Sequence, residues 1–318
     1  MSLANWMAEL PPELTSRPIY SLKIPGSHDS GANDCLSEKL PVANDEGSPI
    51  RELGKAPCIR RIIKRWAVTQ SYSIRQQLDL GIRYLDMRVS YPPIDVRDSK
   101  TDFRLIHALY GPKLLEVFRE IAEFLRTNTK EVILLDINHL YAFDMDSYTL
   151  LQTEAFKTLG RELFCPVTTD SVSLDYMWEN GYRVIVFSSF ASNDSNLFWP
   201  NYMIPSPWPN TNNVDALIQT LETCLNERCT VSNVQGFFVS QGVLTPKNYD
   251  VIYKFYSTLR DFSQQATGRV LQWLSGLSDE QKAKVNVVIL DFIDEATSRR
   301  IISLNHTDSG ESLETTRL

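Results

Sequence analysis

Strand-like and helix-like segments alternate along most of this chain. The segment 131–137 is a nearly continuous apolar run, which is typical of a strand buried on both faces. Segment 112–128 has apolar residues at helical spacing, and a second helix is predicted over 147–160. This alternation predicts a parallel sheet with helices on its outside. About seven predicted strands bring the sheet close to a barrel, and α/β barrels of this length commonly form a single domain.

The other predicted elements follow from the same kind of pattern. Ser73 and Gln76, three residues apart, have the spacing of a capping box at the start of a helix. The alternation over 82–89 places Asp86 and Arg88 on one face of a strand. Further strands are predicted over 19–24, 103–107, 182–188, 236–239 and 285–293. Further helices are predicted over 213–227 and 249–275 and from Ser278, with loops over 32–68 and 190–212.

Composition disfavours several classes of protein. The chain is 43% hydrophobic and 22% charged with a formal net charge of −7, which fits a globular protein and argues against a nucleic-acid partner. No run approaches the roughly 18 apolar residues that span a membrane. The N-terminal residues do not have the pattern of a signal peptide. Five scattered cysteines indicate reduced thiols, so we expect a cytoplasmic or nuclear protein that is not secreted.

Polar residues follow directly after several of the predicted strands. In an α/β barrel, the carboxyl ends of the strands form the rim that carries the active site. The residues at these places are Ser27, His28 and Asp29, then Asp86 and Arg88, His107, Asn138 and His139, Ser188 and Ser189, Ser240 and Gln241, and Asp294. Three of the four histidines in the chain are therefore expected at one barrel mouth, among them His28 and His107.

Two imidazoles, a carboxylate and a guanidinium suit phosphodiester chemistry. One imidazole can remove a proton from an attacking hydroxyl while the other protonates a leaving alkoxide. A carboxylate fixes the tautomer of an imidazole, and a guanidinium holds two phosphate oxygens without a metal. Because Arg88 would repel a cation, we expect no metal and no cofactor, and independence from Ca²⁺. Asp86 is predicted to hold Arg88 or a substrate hydroxyl.

Three spaced segments carry a resemblance to a known family. Residues 22–30 (LKIPGSHDS), 73–88 (SIRQQLDLGIRYLDMR) and 107–111 (HALYG) resemble the X domain of phosphatidylinositol-specific phospholipases C. More narrowly, the chain is similar to the small animal proteins that consist of an X domain alone, over nearly all of 15–295. The resemblance implies a distorted TIM barrel that cleaves an inositol phospholipid. In that reaction the inositol 2-hydroxyl attacks phosphorus, which gives diacylglycerol and a cyclic inositol phosphate.

The resemblance also implies roles for individual residues. His28 matches the general base of the family and His107 its general acid. Asp29 matches the carboxylate that supports the acid histidine in bacterial members, and Arg88 matches their phosphate-binding arginine. Asp291 matches the orienting partner of His28. Contacts to the substrate are expected from Asn138, His139 and Gln241, the first two standing where bacterial members have a lysine.

Less specific interpretations remain open for these residues. Each histidine on its own fits a hydrogen-bonded structural residue, and Asp86 with Arg88 fits a buried ion pair. A barrel that binds inositol headgroups or another protein without catalysis is the main alternative. A related barrel that hydrolyses glycerophosphodiesters ranks lower, because such enzymes usually bring several acids to a metal.

Two segments and the C-terminus have alternative interpretations as contact surfaces. Segment 58–66 mixes four cations with isoleucines and a tryptophan, which suits either a membrane-surface helix or a helix that faces the core. The aromatic segment 198–208 suits either rim packing or a membrane contact. The last residues, 316–318, weakly match a motif for a PDZ-type partner. We expect the barrel to cover 1–302 and a polar, disordered tail to cover 303–318.

Overall fold

Nine strands form one sheet in the part of the chain that the computed structural model describes, residues 2–190, 196–230 and 236–306. The strands are Ile24–Ser27 (β1), Tyr84–Ser90 (β2), Arg104–His107 (β3), Leu109–Lys113 (β4), Ile133–Tyr141 (β5), Val184–Ser188 (β6), Phe198–Pro200 (β7), Val239–Gln241 (β8) and Val287–Leu290 (β9). Seven of them pair in parallel in the order β7-β6-β5-β2-β1-β9-β8. The first strand therefore lies beside the last, as in a barrel.

The barrel is open and distorted. No ladder joins β7 to β8 within the described ranges, although the backbone N–H of Val239 donates to the carbonyl of Pro205 at 2.9 Å across this gap. The hairpin β3–β4 is antiparallel and pairs with the carboxyl end of β2. This hairpin brings His107 to the rim although β3 lies outside the parallel path.

Helices surround the sheet. They are Pro12–Thr15 (α1), Ser48–Leu53 (α2), Pro57–Ala67 (α3), Ile74–Asp79 (α4), Leu114–Thr127 (α5), Met145–Leu159 (α6), Leu174–Glu179 (α7), Val214–Thr230 (α8), Asn248–Tyr253 (α9), Leu259–Gly276 (α10), Asp279–Lys284 (α11) and Glu295–Ser303 (α12). Short 3₁₀ turns occupy Leu3–Asn5, Ile19–Ser21, Arg161–Leu163, Asn201–Met203 and Leu304–His306. The capping box predicted from Ser73 and Gln76 begins α4.

Alternating strand residues divide the core into two layers. Leu85 and Leu135 face outward and pack with the helices, whereas Tyr84 and Leu134 face inward and fill the barrel. The N-terminal segment, with Trp6, packs against this inner layer. The α/β barrel expected from the sequence is confirmed, and its inward face carries the polar side chains of the rim.

Several predicted boundaries were wrong, for local reasons. The segment 19–24 is a 3₁₀ turn followed by the start of β1, because the N–H of Leu22 bonds back to the carbonyl of Ile19 at 3.0 Å. Pro112 lies in β4 rather than in a helix, which is possible because the β3–β4 ladder is irregular between its pairs at Tyr110 and Lys113 and gives Pro112 no partner. The predicted helix 249–275 is two helices, because Thr258 caps a new one.

Other boundaries shift as well. Segment 32–68, expected to be a loop apart from a possible helix over 58–66, contains α2 as well as α3, and the segment 190–212 contains β7. The fold continues past 303, because the side chain of Asn305 is buried and bonds the backbone of Lys23. The remainder of the predicted tail, with the motif 316–318, lies outside the described residues.

Candidate functional site

His28 stands directly after β1, where three strands meet. Its backbone N–H donates to the carbonyl of Leu290 at 3.2 Å, which ties it to the end of β9. A side chain at Gly31 would collide with Leu105 of β3, its Cβ lying 2.2 Å from Leu105 Cδ1. The absence of a side chain at Gly31 therefore lets the turn after β1 pack closely against the strand that carries His107.

His107 is the last residue of β3. Its Nδ1 donates to the carbonyl of Ala67, at the end of α3, at 2.7 Å, which leaves Nε2 directed toward the rim. The ring centroids of His107 and His28 are 6.3 Å apart. The two predicted imidazoles therefore do meet across one barrel mouth.

The carboxylate of Asp29 joins these groups. Its Oδ2 lies 3.3 Å from Nε2 of His28 and 3.4 Å from Nε2 of His107. Its Oδ1 lies 2.5 Å from Nε of Arg88. Asp29 is buried and its φ is 41°, a left-handed conformation that costs a non-glycine residue roughly 1–2 kcal/mol. Such strain at a rim residue is typical of a functional site.

Arg88 lies on β2 with its guanidinium between Asp29 and His28. Its Nη2 is 3.3 Å from Nε2 of His28. Burial alone would lower the pKa of Arg88, but the carboxylates of Asp29 and Asp86 outweigh it and raise that pKa. The guanidinium is thus a permanent cation at the centre of the site.

The opposite edge of His28 is held by Asp291, the residue after β9. Nδ1 of His28 and Oδ1 of Asp291 are 2.8 Å apart. Burial alone would lower the pKa of His28, but the charges of Asp29 and Asp291 and the hydrogen bond to Asp291 raise it to about 9. Burial opposes ionisation of Asp29 too, yet Arg88 and both histidines lower its pKa. His28 and Asp29 are therefore an ion pair at neutral pH.

Gln70 is a supporting residue that sequence reasoning missed. Its Nε2 donates to the carbonyl of His28 at 2.8 Å and to the carbonyl of Leu290 at 3.0 Å. Thr69 Oγ1 donates to the carbonyl of Asp29 at 3.0 Å. Both follow α3 in an unpatterned segment, and their position in the sequence gave no signal of this contact.

Asp86 interacts with Arg88 through its charge, and it also holds the turn at Asp29. Its Oδ2 accepts from the backbone N–H of Asp29 at 3.0 Å. Beside it in the parallel register lies Asp136 of β5, a second residue that the sequence reasoning missed although it is an acid within an apolar run. Burial and then the charge of Asp86 raise the pKa of Asp136 to about 8. The hydroxyl of Tyr84 donates to Asp136.

The three residues predicted to contact the substrate lie in different surroundings from one another. His139 lies in β5, which extends through Tyr141, and a register shift sets it opposite Arg88; burial, then Arg88, lower the pKa of His139. Asn138 donates from Nδ2 to Asp136 at 2.9 Å. Gln241 donates to the carbonyl and hydroxyl of Ser206, both at 2.9 Å, beside the gap between β7 and β8. His139 is thus the one of the three with an electrostatic contact to the histidine cluster.

One set of possible metal ligands lies in the same place. Donor atoms of His28, Asp29 and Asp86 all fall within 4.8 Å of one another. A cation there would have to share Asp29 with the guanidinium of Arg88, which is 2.5 Å away, and would stand beside a His28 whose pKa is raised. This donor set therefore does not fit a divalent cation as it stands.

The two predicted contact segments have mixed surfaces. In α3, Arg61 and Arg65 are exposed, whereas Trp66 is buried against Phe262. In 198–208, Phe198 and Trp199 are buried, but Tyr202 and Trp208 are exposed. None of the helices in the described part of the chain combines the length and the apolar character needed to cross a bilayer.

A family model described as PI-PLC X 1 matches residues 64–303. The human PI-PLC X domain-containing protein 2 is 38% identical over 245 residues, covering 77% of this chain and 78% of that protein. The human PI-PLC X domain-containing protein 3 is 33% identical over 319 residues, covering 98% of this chain and 97% of that protein.

Solved structures of bacterial enzymes have the same fold. The phosphatidylinositol-specific phospholipase C of Listeria monocytogenes superposes with a TM-score of 0.67 at 19% identity, covering 96% of this chain and 99% of its own. The F249X mutant of the Staphylococcus aureus phosphatidylinositol-specific phospholipase C gives a TM-score of 0.65 at 16% identity, covering 95% and 99%. These likenesses confirm the expected distorted TIM barrel in a single domain.

Proposed function

This chain belongs to the PI-PLC X domain family, and we propose that it is a phosphodiesterase of the phospholipase C type. Its substrate is an inositol phospholipid, and its products are diacylglycerol and an inositol phosphate. One observation supports this above others: Nε2 of His28 and Nε2 of His107 converge on a single carboxylate oxygen, with a guanidinium on the other oxygen. Displacement at a phosphodiester needs a base for the attacking hydroxyl and an acid for the leaving oxygen, and two imidazoles whose ring centroids are 6.3 Å apart beside a guanidinium can supply them.

His28 acts as the general base. Its Nδ1 is engaged by Asp291, so Nε2 is the nitrogen that takes the proton of the inositol 2-hydroxyl. The hydroxyl oxygen then forms a bond to phosphorus. For this step His28 must first release to solvent the proton that its two carboxylate neighbours favour, so the fraction of enzyme with an unprotonated base rises with pH.

His107 acts as the general acid. Because its Nδ1 donates to the carbonyl of Ala67, the proton delivered to the leaving oxygen comes from Nε2. The bond between phosphorus and the diacylglycerol oxygen breaks as that oxygen gains the proton. Asp29 lies 3.4 Å from Nε2 and stabilises the charged imidazole before transfer.

Arg88 takes the part that a cation plays in metal-dependent diesterases. Its guanidinium carries a fixed charge and several donors in one plane, which suits two phosphate oxygens. The poor fit of His28, Asp29 and Asp86 to a divalent ion supports a metal-independent reaction. Asp86, bonded to the N–H of Asp29, fixes the turn, and His139 is the side chain we assign to the substrate.

A lipid substrate requires contact with a membrane surface, and one candidate surface lies at the carboxyl end of β8. Tyr249, Ile252, Tyr253, Phe255 and Tyr256 are all exposed within and after α9. Aromatic side chains of this kind favour the membrane–water interface. We assign membrane contact to this surface together with exposed Trp208 and the basic face of α3. A cytoplasmic location, with the five cysteines free, fits this assignment.

The decisive experiment uses purified protein with phosphatidylinositol vesicles and follows the water-soluble product. His28→Ala and His107→Ala should each lower turnover by at least about a hundredfold. His306→Ala, a substitution of an exposed histidine in a 3₁₀ turn, is the matched control and should keep wild-type turnover. Activity retained in both site variants would overturn the proposal. Vesicle binding by wild-type protein without product release would favour a binding barrel.

A further inference from the structure

Residues 42–46, which we term the strap, lie against the hairpin that carries His107. Val42 forms an antiparallel bridge with Leu109, and Ala43 is fully buried beside Ile106. Oδ1 of Asn44 accepts from the hydroxyl of Ser90 on β2 at 2.8 Å. The strap is therefore fixed to two strands, although it lies in a segment without helical or strand periodicity.

The strap holds the residue next to His107 by both of its backbone groups. The N–H of Ala43 donates to the carbonyl of Ala108 at 2.8 Å, and Oδ2 of Asp45 accepts from the N–H of Ala108 at 2.8 Å. Ala108 has a φ of 56°, a left-handed conformation that costs alanine roughly 1–2 kcal/mol. Such a conformation persists only where its surroundings fix it, and here the strap does so.

Asp45 also adds a charge at this side of the site. Its Oδ1 is buried and has no hydrogen-bond partner among the described residues. Burial raises the pKa of Asp45, while the N–H of Ala108 and the charges of His107 and Arg88 act in the opposite direction. Burial prevails and the pKa of Asp45 is raised, and its interaction with the charge of His107 acts equally on both groups.

We propose that Asp45 is a positioning residue for His107, fixing the turn at Ala108 and favouring the protonated imidazole. The inference rests on the proposed function, in which His107 is the general acid. Asp45 does not touch the reacting atoms. Its effect is confined to the step in which the proton of Nε2 passes to the diacylglycerol oxygen as the bond from that oxygen to phosphorus breaks.

The other charged and polar groups around His107 come from different elements than Asp45 does. Asp29 and His28 come from the end of β1 and Arg88 from β2, while the carbonyl of Ala67 comes from α3. Glu46 of the strap also acts on His107 through its charge. Among these groups, Asp45 is the one that bonds the backbone of the residue following His107. Its loss should thus affect one histidine and leave the other in place.

The test compares two variants on two substrates. Asp45→Asn keeps an oxygen for the N–H of Ala108 and removes the charge, whereas Asp45→Ala removes both. With phosphatidylinositol we expect kcat to fall about tenfold in Asp45→Asn and about a hundredfold in Asp45→Ala, with KM little changed. With a nitrophenyl ester of inositol phosphate, whose leaving group needs no proton, both should lose less than about threefold.

A matched control comes from the same strap. Asn44→Ala removes the bond to Ser90 without touching Ala108 and should show no dependence on the leaving group. Equal losses on both substrates in the Asp45 variants would overturn the proposal and indicate a general structural role. Should Asp45→Ala fail to fold, the Asp45→Asn comparison decides.

A second readout does not depend on turnover. NMR titration of the four histidines, assigned with His107→Ala, should show His107 losing its proton at a lower pH in Asp45→Asn than in wild type, with His28 shifted less. An unchanged titration of His107 would overturn the inference. If wild-type protein cleaves neither substrate, the proposed function fails, and this titration still decides whether Asp45 acts on His107.

Discussion

Strand β2 has an arginine at each end, and the two are held in opposite ways. Arg83, just before the strand, is fully buried and pairs with Glu131 at 2.8 Å. Its remaining nitrogens donate to backbone carbonyls of Leu78, Ile82, Leu3 and Ala4. Its donors are thus saturated by the protein, and the N-terminal segment is fixed across the bottom of the barrel.

The arginine at the other end of β2 has incomplete surroundings. Arg88 pairs with Asp29 at 2.5 Å and approaches His28, but buried oxygens nearby, Oδ1 of Asp45 and Oδ2 of Asp291, have no donor among the described residues. Two rim residues, Asp29 and Ala108, adopt left-handed backbone conformations. Unpaired groups and strain are costly unless something binds there. One end therefore contributes stability and the other end is available for chemistry.

Replacing Arg88 with alanine should give the largest effect on catalysis. We expect kcat/KM on phosphatidylinositol to fall about a thousandfold, because the charge that stabilises the phosphoryl transition state is lost. Arg88→Lys should recover part of this, since an ammonium cannot form the planar pair of bonds. Arg299→Ala, at an exposed pair on α12, serves as the control. A loss of folding instead of activity in Arg88→Ala would break the proposed contrast between the two ends.

At the bottom of the barrel the same kind of change should affect stability. Glu131→Gln leaves Arg83 buried without its counter-charge, which should cost about 3–5 kcal/mol in free energy of unfolding. The exposed pair of Lys55 with Glu52 is the control, and Glu52→Gln should change that free energy by less than about 1 kcal/mol. Urea denaturation measures both. Activity per folded molecule should be unchanged in Glu131→Gln; a large drop in kcat would mean that the bottom of the barrel also serves the reaction.

Asp291→Asn should produce a moderate loss with a characteristic pH profile. Since the pKa of His28 is raised to about 9 by its carboxylate neighbours and a base must be unprotonated, kcat/KM of wild type should rise with pH until about 9. Removing one carboxylate should move this rise in kcat/KM to lower pH. Poorer orientation of the imidazole should lower kcat by about a hundredfold. If kcat/KM rises over the same pH range in the variant as in wild type, Asp291 does not act on His28.

The same coupling predicts a stability effect of defined sign. Folding raises the pKa of His28 from 6.5 to about 9, so the ionised cluster contributes its full stability below pH 6.5 and loses it as the pH rises through about 9. The difference in unfolding free energy between wild type and Asp291→Asn should therefore shrink across this range. A difference that grows with pH would contradict the ion pair.

The residues at the Arg88 end of β2 were largely predictable from the sequence, whereas the contacts at its Arg83 end were not. His28, Asp29, Arg88 and His107 were predicted because strand ends in an α/β barrel share one rim, and hydrophobic patterns indicate where strands end; Asp291 came from the family resemblance alone. The buried barrel strands were predicted from the same hydrophobic patterns. Asp136 gave a weak signal as an acid inside an apolar run.

The strap and the packing of the N-terminal segment across the bottom of the barrel were not predictable in this way. Asp45 reaches Ala108, 63 residues away, from a segment without periodicity, so neither its position nor its partner follows from spacing. The error at 19–24 has a similar origin: its apolar residues suggested a strand, but Ile19 donates to the carbonyl of Val172 and the chain turns. Contacts made by irregular backbone depend on the assembled fold, which local patterns do not encode.

The smallest expected effect comes from removing divalent cations. Arg88 already provides a positive charge 2.5 Å from Asp29, so a chelator should leave kcat/KM on phosphatidylinositol within about twofold of its value in added Ca²⁺. The assay is best run on wild type and Arg88→Ala in parallel, with vesicle binding measured in each condition because Ca²⁺ can alter the lipid surface. Loss of wild-type activity on chelation, restored by Ca²⁺ at constant vesicle binding, would place a cation on His28, Asp29 and Asp86. The Arg88 end of β2 would then lack a metal ion that the reaction needs, and the role assigned to Arg88 would be wrong.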